Sequence, residues 1–220
     1  MWNEVYLYMY DSKKLKLKFD RIIDYTEKSK ASNSKMLIKR SELNDLKLYQ
    51  KDIYELIEQE YLEKVRQGWY QVVEKDNKKS ESALIAALFH DGVICMHTAL
   101  FYYQYSDRTP LDWDIAIDRD TSKSRFKLDY PYVKPYYMER KHLEYGITEA
   151  NLEGATMKIF DRDRLICECI RNEKSMDKET YNKAIQAYIN DSNKCISNLI
   201  QYARQRNVLK KVKDRIEVWL

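Results

Sequence analysis

A polar stretch at residues 74–82, with the sequence EKDNKKSES, divides this chain of 220 residues into two parts. Apolar residues recur at regular intervals on both sides of it, so each part can bury a core of its own. We therefore predict two domains, at residues 1–78 and 79–220. Residues 1–12 precede the first regular pattern and are predicted to form an N-terminal extension.

The chain contains few residues that break helices, with 4 Gly and 3 Pro among its 220 residues. This composition favours a helix-rich globular protein and argues against collagen-like, linker-rich or disordered classes. The 39 basic and 35 acidic residues leave a formal net charge of +4. So small an excess allows nucleic-acid binding only through a local basic patch.

Nothing in the sequence predicts export or a membrane. No run of about 18 apolar residues is present, and the aromatic start MWNEVYLYMY lacks the basic segment and plain apolar core of a signal peptide. Cys95, Cys167, Cys169 and Cys195 lack the spacing of a disulfide framework. We expect a protein of the reducing cytoplasm, without a membrane partner.

The first domain begins with a helical pattern of apolar residues, which predicts a first helix over residues 14–28. A polar stretch follows, and residues 36–38 form a short apolar run. Ser41 is a good N-cap for a short second helix, and Glu42 lies in its first turn, where the helix dipole favours an acid.

The segment QKDIYELIEQEYL predicts a third helix, because Ile53, Leu56 and Ile57 fall on one face at helical spacing. The next segment, LEKVRQGWYQVV, is typical of a β-hairpin. Gly68 lies at its centre and permits the positive φ of a tight turn. Helix, short strand, helix, turn, helix and hairpin are the order of a winged helix-turn-helix.

The second domain shows a mixed pattern, and the predicted fold class is α/β (α+β). Strands are predicted at residues 112–118 and 156–161, and an extended edge segment near Pro135. A helix is predicted at residues 162–171, after the second strand. The last fifty residues read as three helices, with Asp177 and Ser192 as N-caps of the first two. The prediction is thus an N-terminal winged helix-turn-helix and a larger mixed C-terminal domain that ends in a helical segment.

Four segments together resemble the AbiEi family of antitoxins. They are LYQKDIYELIEQEYLEKVRQGWYQV, VICMHTALFYYQYSDRTP, MKIFDRDRLICECIR and YNKAIQAYINDSNKCISNLIQYARQRNV. In the first, Arg66, Gly68 and Tyr70 match the arginine, glycine and tyrosine of the family's wing. The likeness extends from about Ser34 to the C-terminus. Leu165 and Glu168 depart from the threonine and aspartate that the family commonly has.

The resemblance implies a function. Antitoxins of this family are the partners of AbiEii-like nucleotidyltransferase toxins in bicistronic phage-defence (abortive infection) operons. They bind inverted repeats in their own promoter and repress it. In this type IV scheme the antitoxin opposes the toxin's effect without necessarily forming a tight complex with it. Inverted repeats in double-stranded DNA imply two copies of the protein, as a dimer or as adjacent monomers.

A recognition helix enters the major groove with the side chains of its N-terminal half free to meet base edges. With Ile53, Leu56 and Ile57 in the core, the third helix turns polar side chains outward. The wing tip and the start of the second helix can reach phosphates. The predicted DNA-binding residues are Lys39, Arg40, Tyr49, Gln50, Lys51, Tyr54, Lys64, Arg66 and Gln67.

The third helix also supports a second interpretation. It carries Asp52, Glu55, Glu58 and Glu60, which repel phosphate unless they point away from the DNA. On this interpretation the winged domain does not bind DNA specifically, and the protein is an interaction module for a toxin or another partner.

The most basic stretch of the chain is RQRNVLKKVKDR near the C-terminus. It can supply a second DNA contact by attraction to phosphates. Alternatively it is a solvated helix face, which we slightly favour. The candidate residues are Arg204, Arg206, Lys210, Lys211 and Lys213.

A third hypothesis is a nuclease, since Asp112 and Asp114 could bind Mg²⁺ with the nearby Asp118 and Asp120. We discount it because alternation along the strand places Asp112 and Asp114 on the solvent side, and no nearby lysine completes a nuclease motif.

Other combinations of residues give equally weak evidence for a catalytic or metal site. Cys167 and Cys169 point in different directions on a helix and are predicted to be buried, and His97 is predicted to cap a helix or to bond in the core. No phosphate-binding loop, dinucleotide fingerprint or catalytic triad is present. We therefore predict no enzyme, no metal and no cofactor.

Overall fold

The computed structural model describes residues 2–28, 37–73 and 80–216, with side chains from residue 13 onward. The chain divides into two compact units. They are Met1–Leu88 with Lys127–Tyr130, and Phe89–Phe126 with Pro131–Leu220. The domain boundary predicted after residue 78 lies outside the described residues.

The first unit is a winged helix-turn-helix that begins with a long helix. Its elements are α1 (Trp2–Lys28), β1 (Leu37–Lys39), α2 (Arg40–Asp45), α3 (Gln50–Glu58), β2 (Leu62–Arg66), β3 (Trp69–Val72) and α4 (Glu81–Leu88). The three strands form an antiparallel sheet in the order β1-β3-β2. The predicted order of helices and hairpin is confirmed.

One apolar core sets the orientation of the helices in this unit. Ile53 and Leu56 of α3 are buried together with Ile22 of α1, Ile38 of β1 and Leu43 of α2. Because Ile53 and Leu56 are three residues apart, one face of α3 enters the core and the opposite face is left to solvent. Burial of each such side chain contributes about 1.5–3 kcal/mol, so the core fixes the rotation of α3 about its axis.

Two helix starts differ from the prediction. α1 begins at Trp2 rather than at residue 14, since no Gly or Pro interrupts the chain between those positions. The residues predicted as an N-terminal extension are therefore turns of α1. The second helix begins at Arg40, with Lys39 as its N-cap, so Ser41 is not the cap. The carboxylate of Glu42 accepts a hydrogen bond from the Lys39 backbone N–H (2.6 Å), which closes the first turn earlier.

The second unit is a mixed sheet with helices. Its elements are β4 (Val93–Ile94), α5 (Met96–Tyr102), β5 (Trp113–Asp118), β6 (Val133–Met138), β7 (Ile147–Leu152), β8 (Ala155–Phe160), α6 (Arg162–Arg171), α7 (Lys178–Asn190), α8 (Ile196–Gln205) and α9 (Leu209–Ile216). The sheet order is β6-β5-β4-β8-β7. β5 and β6 are parallel, as are β4 and β8, and the other two pairs are antiparallel. The mixed fold and the helical end are confirmed.

Helix α6 is the buried centre of the helical part, where it packs against α5, α7, α8 and α9. Every residue from Asp163 to Ile170 is buried. A helix with no exposed face must carry its polar side chains into the interior, and Arg164 and Glu168 lie there. Their charges need partners inside the protein.

Several local predictions for this unit are confirmed and one is wrong. Pro135 lies in the edge strand β6, and the Asp177 carboxylate accepts a hydrogen bond from Thr180 N, as an N-cap should. Ser192 is not a cap, since α8 begins at Ile196 after Cys195. In the described part of the chain, no helix combines the length and the apolar composition needed to span a bilayer.

Candidate nucleic-acid interface

The first turn of α3 is closed by an acidic residue of the same helix, Asp52. The Asp52 carboxylate accepts a hydrogen bond from the backbone N–H of Tyr49, the N-cap residue (2.8 Å). With Ile53 and Leu56 buried, Gln50, Lys51 and Tyr54 are exposed, and the Lys51 side chain is 90% exposed. Tyr49 and Tyr54 are each 61% exposed, which is unusual for large aromatic side chains. The predicted contact residues of the helix thus face solvent.

The wing is a hairpin of β2 and β3 that turns at Gln67 and Gly68. Gly68 has φ +74°, and its backbone carbonyl accepts a hydrogen bond from Arg40 N (2.9 Å). This bond joins the start of α2 to the wing tip. Lys39 and Arg66 both lie over the Trp69 ring, at 5.0 and 4.8 Å from its centroid. Trp69 therefore holds two cations at the wing.

A cavity of about 210 Å³ separates α3 from the wing. Five of the nine predicted contact residues line it, namely Arg40, Gln50, Tyr54, Lys64 and Gln67. We call these five residues, with the exposed Lys51, the helix–wing face. Three of its six members are cations, and its walls come from three separate elements and the wing turn.

The acids of α3 do not all lie beside this face. Lys18 of α1 forms ion pairs with Asp52 (2.6 Å) and Glu55 (3.1 Å), and its own side chain is only 16% exposed. Burial alone would raise the pKa of Asp52, but the hydrogen bonds from Lys18 and from Tyr49 N hold it below its usual value. The Asp52 carboxylate is therefore ionised, and Lys18 pairs with both acids. Glu58 and Glu60 are exposed, with no ion pair among the described residues.

Lys18 was missed at the sequence level, although a signal for it exists. It lies three residues after the buried Leu15 and four before the buried Ile22, on the stripe that packs into the core. A lysine at such a position needs an acidic partner on the element it packs against. The sequence does not reveal which of the four acids of the third helix meets it.

One of the five contact residues predicted in the C-terminal basic stretch is buried. Arg206 is 6% exposed, and its Nε and Nη2 donate hydrogen bonds to the two carboxylate oxygens of Glu168 (2.6 and 2.9 Å). Arg206 is therefore held in the interior by Glu168, and its prediction as a DNA contact on the surface was wrong. The other four candidates are exposed, namely Arg204, Lys210, Lys211 and Lys213.

The aspartates of β5 also differ from expectation. Asp114 is 2% exposed, because β5 lies inside the sheet and is covered on both faces. Its carboxylate accepts a hydrogen bond from His97 N (2.7 Å) and contacts His97 Nδ1 (2.9 Å), so His97 bonds in the core as predicted. Within the described ranges, no three His, Cys, Asp or Glu side chains are close enough to hold a metal ion.

Cys167 and Cys169 are buried free thiols, as predicted. Burial raises the pKa of both thiols well above the ordinary value, so neither is ionised at neutral pH. They pack as small apolar side chains and have no nucleophilic character there.

Comparison with protein-family models and with curated proteins gives no match from which an activity could be transferred. No protein-family model matches the sequence, and no curated protein is significantly similar to it. What the protein does must therefore be inferred from its own residues, and the helix–wing face is the surface whose chemistry is best defined.

Proposed function

We propose that this protein is a DNA-binding transcriptional autorepressor and the antitoxin of a type IV toxin-antitoxin system whose toxin is a nucleotidyltransferase. The observation that carries the DNA-binding part is the helix–wing face. Polar and basic side chains of α2, α3 and the wing surround one cavity, while Lys18 offsets one of the two negative charges nearest the start of α3.

Each part of the face has a partner on DNA. The N-terminal half of α3 enters the major groove, where Gln50 pairs with adenine and Lys51 with guanine or a phosphate. Tyr54 contacts a phosphate or a thymine methyl group. Lys64 and Gln67 extend along the wing to phosphates or the minor groove. The N-terminal end of α3 adds its positive dipole to this attraction for phosphate.

Lys18 removes the main physical objection to this proposal. A bare carboxylate at the third and sixth positions of the recognition helix would repel the phosphates. Because one ammonium lies 2.6 and 3.1 Å from the two carboxylates, the pair of acids presents a single net negative charge instead of two. Repression of its own promoter and the antitoxin role rest on the sequence resemblance to the AbiEi family.

The first experiment measures binding of the full chain to a labelled duplex from its own upstream region and to a scrambled duplex, at two salt concentrations. We expect a preference of about a hundredfold for the native duplex. Lys51→Ala and Lys64→Ala each lower the affinity and reduce the salt slope by about 1. Lys28→Ala is the matched control, since Lys28 is an exposed lysine at the end of α1 and lies outside the face.

Equal, weak binding to both duplexes that vanishes as salt rises would contradict specific repression. The alternative, an interaction module without specific DNA binding, would then be favoured. Glu58, Glu60 and the exposed aromatic rings of Tyr49 and Tyr54 are the features that support it. Co-expression with the neighbouring nucleotidyltransferase separates the two roles, because an antitoxin restores growth even when Lys51→Ala has abolished repression.

A further inference from the structure

The second unit contains a cavity of about 450 Å³ that the DNA-binding proposal does not use. One wall is the edge strand β6, and the other is the C-terminal part of α6. Cys95 and Met96 close it at the passage from β4 to α5, where Met96 has φ +41°. Its volume is in the range of small-molecule sites.

The charge on the cavity wall is unbalanced. Arg119, Arg171 and Arg206 line it, against two carboxylates, Glu139 and Glu168. Glu139 is already bound by Lys141 at 2.7 Å, outside the lining. The wall therefore favours an anion.

The excess of positive charge continues in the interior, behind the cavity wall. Arg164 is 0% exposed and shares Glu168 with Arg206, so two buried guanidiniums have one carboxylate between them. Among the described residues, the remaining donors of Arg164 bind the backbone carbonyls of Tyr145 and His142 and approach the distant sulfur of Met138. An excess positive charge in a poorly hydrated place is stabilised by an anion that can approach it.

Two of the three arginines keep donors for a ligand. Nε and Nη2 of Arg206 bind Glu168, and among the described residues nothing accepts a hydrogen bond from its Nη1. Arg171 donates from Nη1 alone, to the Arg206 carbonyl (3.0 Å). Guanidinium groups match the geometry of phosphate oxygens, and they bind them with two parallel hydrogen bonds.

Aromatic and apolar side chains form another part of the lining, beside the polar His142 and Asn172. Tyr136 contributes an aromatic ring, and Met138 and Pro135 contribute apolar surface. Burial raises the pKa of Tyr136 far above neutral, so its hydroxyl stays protonated and can donate a hydrogen bond. Such a lining accepts a planar body next to the anionic group.

We propose that this cavity binds a small phosphomonoester with an aromatic or heterocyclic body, in the size range of a nucleoside monophosphate. The phosphate lies toward Arg171 and Arg206, and the planar body lies along Tyr136. Arg119, at the end of β5, lies at the exposed side of the site and is paired only loosely with Glu139 (3.6 Å). This proposal does not depend on DNA binding.

The test is isothermal titration of the full chain with AMP and with phenyl phosphate, beside adenosine and inorganic phosphate. We expect one site per chain for both phosphomonoesters, and at least tenfold weaker binding of adenosine and of inorganic phosphate. Arg119→Gln and Arg171→Gln each weaken phosphomonoester binding about tenfold or more. Arg204→Gln, an exposed arginine of α8 outside the cavity, changes it less than twofold.

Three results would overturn the proposal. The first is no saturable binding of either phosphomonoester at about 1 mM. The second is equal loss in Arg204→Gln and in the cavity variants, which would show only nonspecific attraction. The third is adenosine or inorganic phosphate binding as tightly as AMP. Tight binding of adenosine would show that the phosphate is not recognised, and tight binding of inorganic phosphate would show that the planar body is not recognised. Arg119 and Arg171 are exposed, so their variants are expected to fold, and circular dichroism verifies it.

Discussion

In the first unit one lysine is shared by two carboxylates near the surface, whereas in the second unit one carboxylate is shared by two arginines in the interior. The side chains of Lys18, Asp52 and Glu55 are 16%, 20% and 37% exposed. The largest exposure in the other cluster is the 6% of Arg206. The two clusters have similar distances between charges, so they differ mainly in how far their charged side chains are exposed to solvent.

Solvent decides what each cluster can do. Water screens the surface cluster, so it contributes little to stability but determines which charges a ligand meets. In the interior cluster each charge has lost its hydration, so the protein depends on its remaining partners. Burial would raise the pKa of Glu168, yet its hydrogen bonds and the charges of Arg206 and Arg164 hold the pKa below the usual value. The same type of contact thus serves the proposed DNA binding in one unit and stability in the other.

The largest effect is expected when the shared carboxylate of the interior cluster loses its charge. Glu168→Gln leaves Arg164 and Arg206 buried without an anion and should lower the free energy of unfolding of the second unit by about 3–5 kcal/mol. Urea-dependent hydrogen exchange of the α6 amides measures this unit separately.

Glu173→Gln is the matched control, because Glu173 binds Arg215 in an exposed ion pair of the same unit (2.6 Å). Its expected effect is below about 1 kcal/mol. A loss of equal size in both variants would show that burial does not distinguish the two kinds of ion pair.

The second prediction compares one backbone conformation in the two units. Gly68 and Gly146 both have positive φ, +74° and +64°. A Cβ at Gly68 meets nothing within 4 Å, but a Cβ at Gly146 lies 2.7 Å from Cβ of Arg164. Gly68→Ala should therefore lower the free energy of unfolding by about 1–2 kcal/mol, through the strained backbone conformation alone. Gly146→Ala should cost about 1–3 kcal/mol more, because it also displaces Arg164.

Hydrogen exchange of α3 and α6 measures the two glycine variants unit by unit. If Gly146→Ala costs no more than Gly68→Ala, Arg164 yields to the added methyl group and is less rigidly held than its contacts indicate. A loss confined to the other unit would contradict both expectations.

The smallest change in stability is expected for Lys18→Ala, at less than about 1 kcal/mol. Its effect should appear in DNA binding, because Asp52 and Glu55 are then uncompensated beside the phosphates. Coulomb energies of about 0.5–1 kcal/mol for each of the two carboxylates in water predict a loss of affinity of about five- to thirtyfold at low salt. Duplex titration at two salt concentrations measures it.

Lys16→Ala removes the same charge from an exposed position of α1 and is the control. Equal losses in the two variants would mean that only the total charge matters. A further Asp52→Asn change in the Lys18→Ala protein should recover part of the affinity, since an amide can still accept the Tyr49 N–H bond without repelling phosphate.

Local patterns explain how much of the fold could be predicted. Ile53 and Leu56 predict α3 and its buried face by spacing alone, and Gly68 predicts the wing turn because its neighbours alternate as strands do. The sequence signal was weaker for β7, which was not predicted, although Glu153 and Gly154 connect it to β8 with φ values of +50° and +88°. Strand β4 has only two residues, too few for a period to be visible.

Three residues of the candidate sites show where prediction from sequence ended. Arg206 belongs to the most basic stretch of the chain, yet Glu168 binds it from 38 positions away. Asp114 alternates like a solvent-facing residue, but a strand covered on both faces has no solvent side. Lys18 faces Asp52 because two helices pack together. In each case the deciding neighbour is distant in the chain.

The sequence by itself determined the order of helices and hairpin in the first unit, because periodicity and turns depend on residues a few positions apart. Only the tertiary structure decided which charges are free. It paired Lys18 with two acids of α3, buried Arg206 against Glu168 and left Lys51 exposed, with only a loose ion pair to Glu55 (3.9 Å). The physical reason is that the energy of a charge depends on its solvent and its nearest counter-charge, and both are set by packing between distant segments.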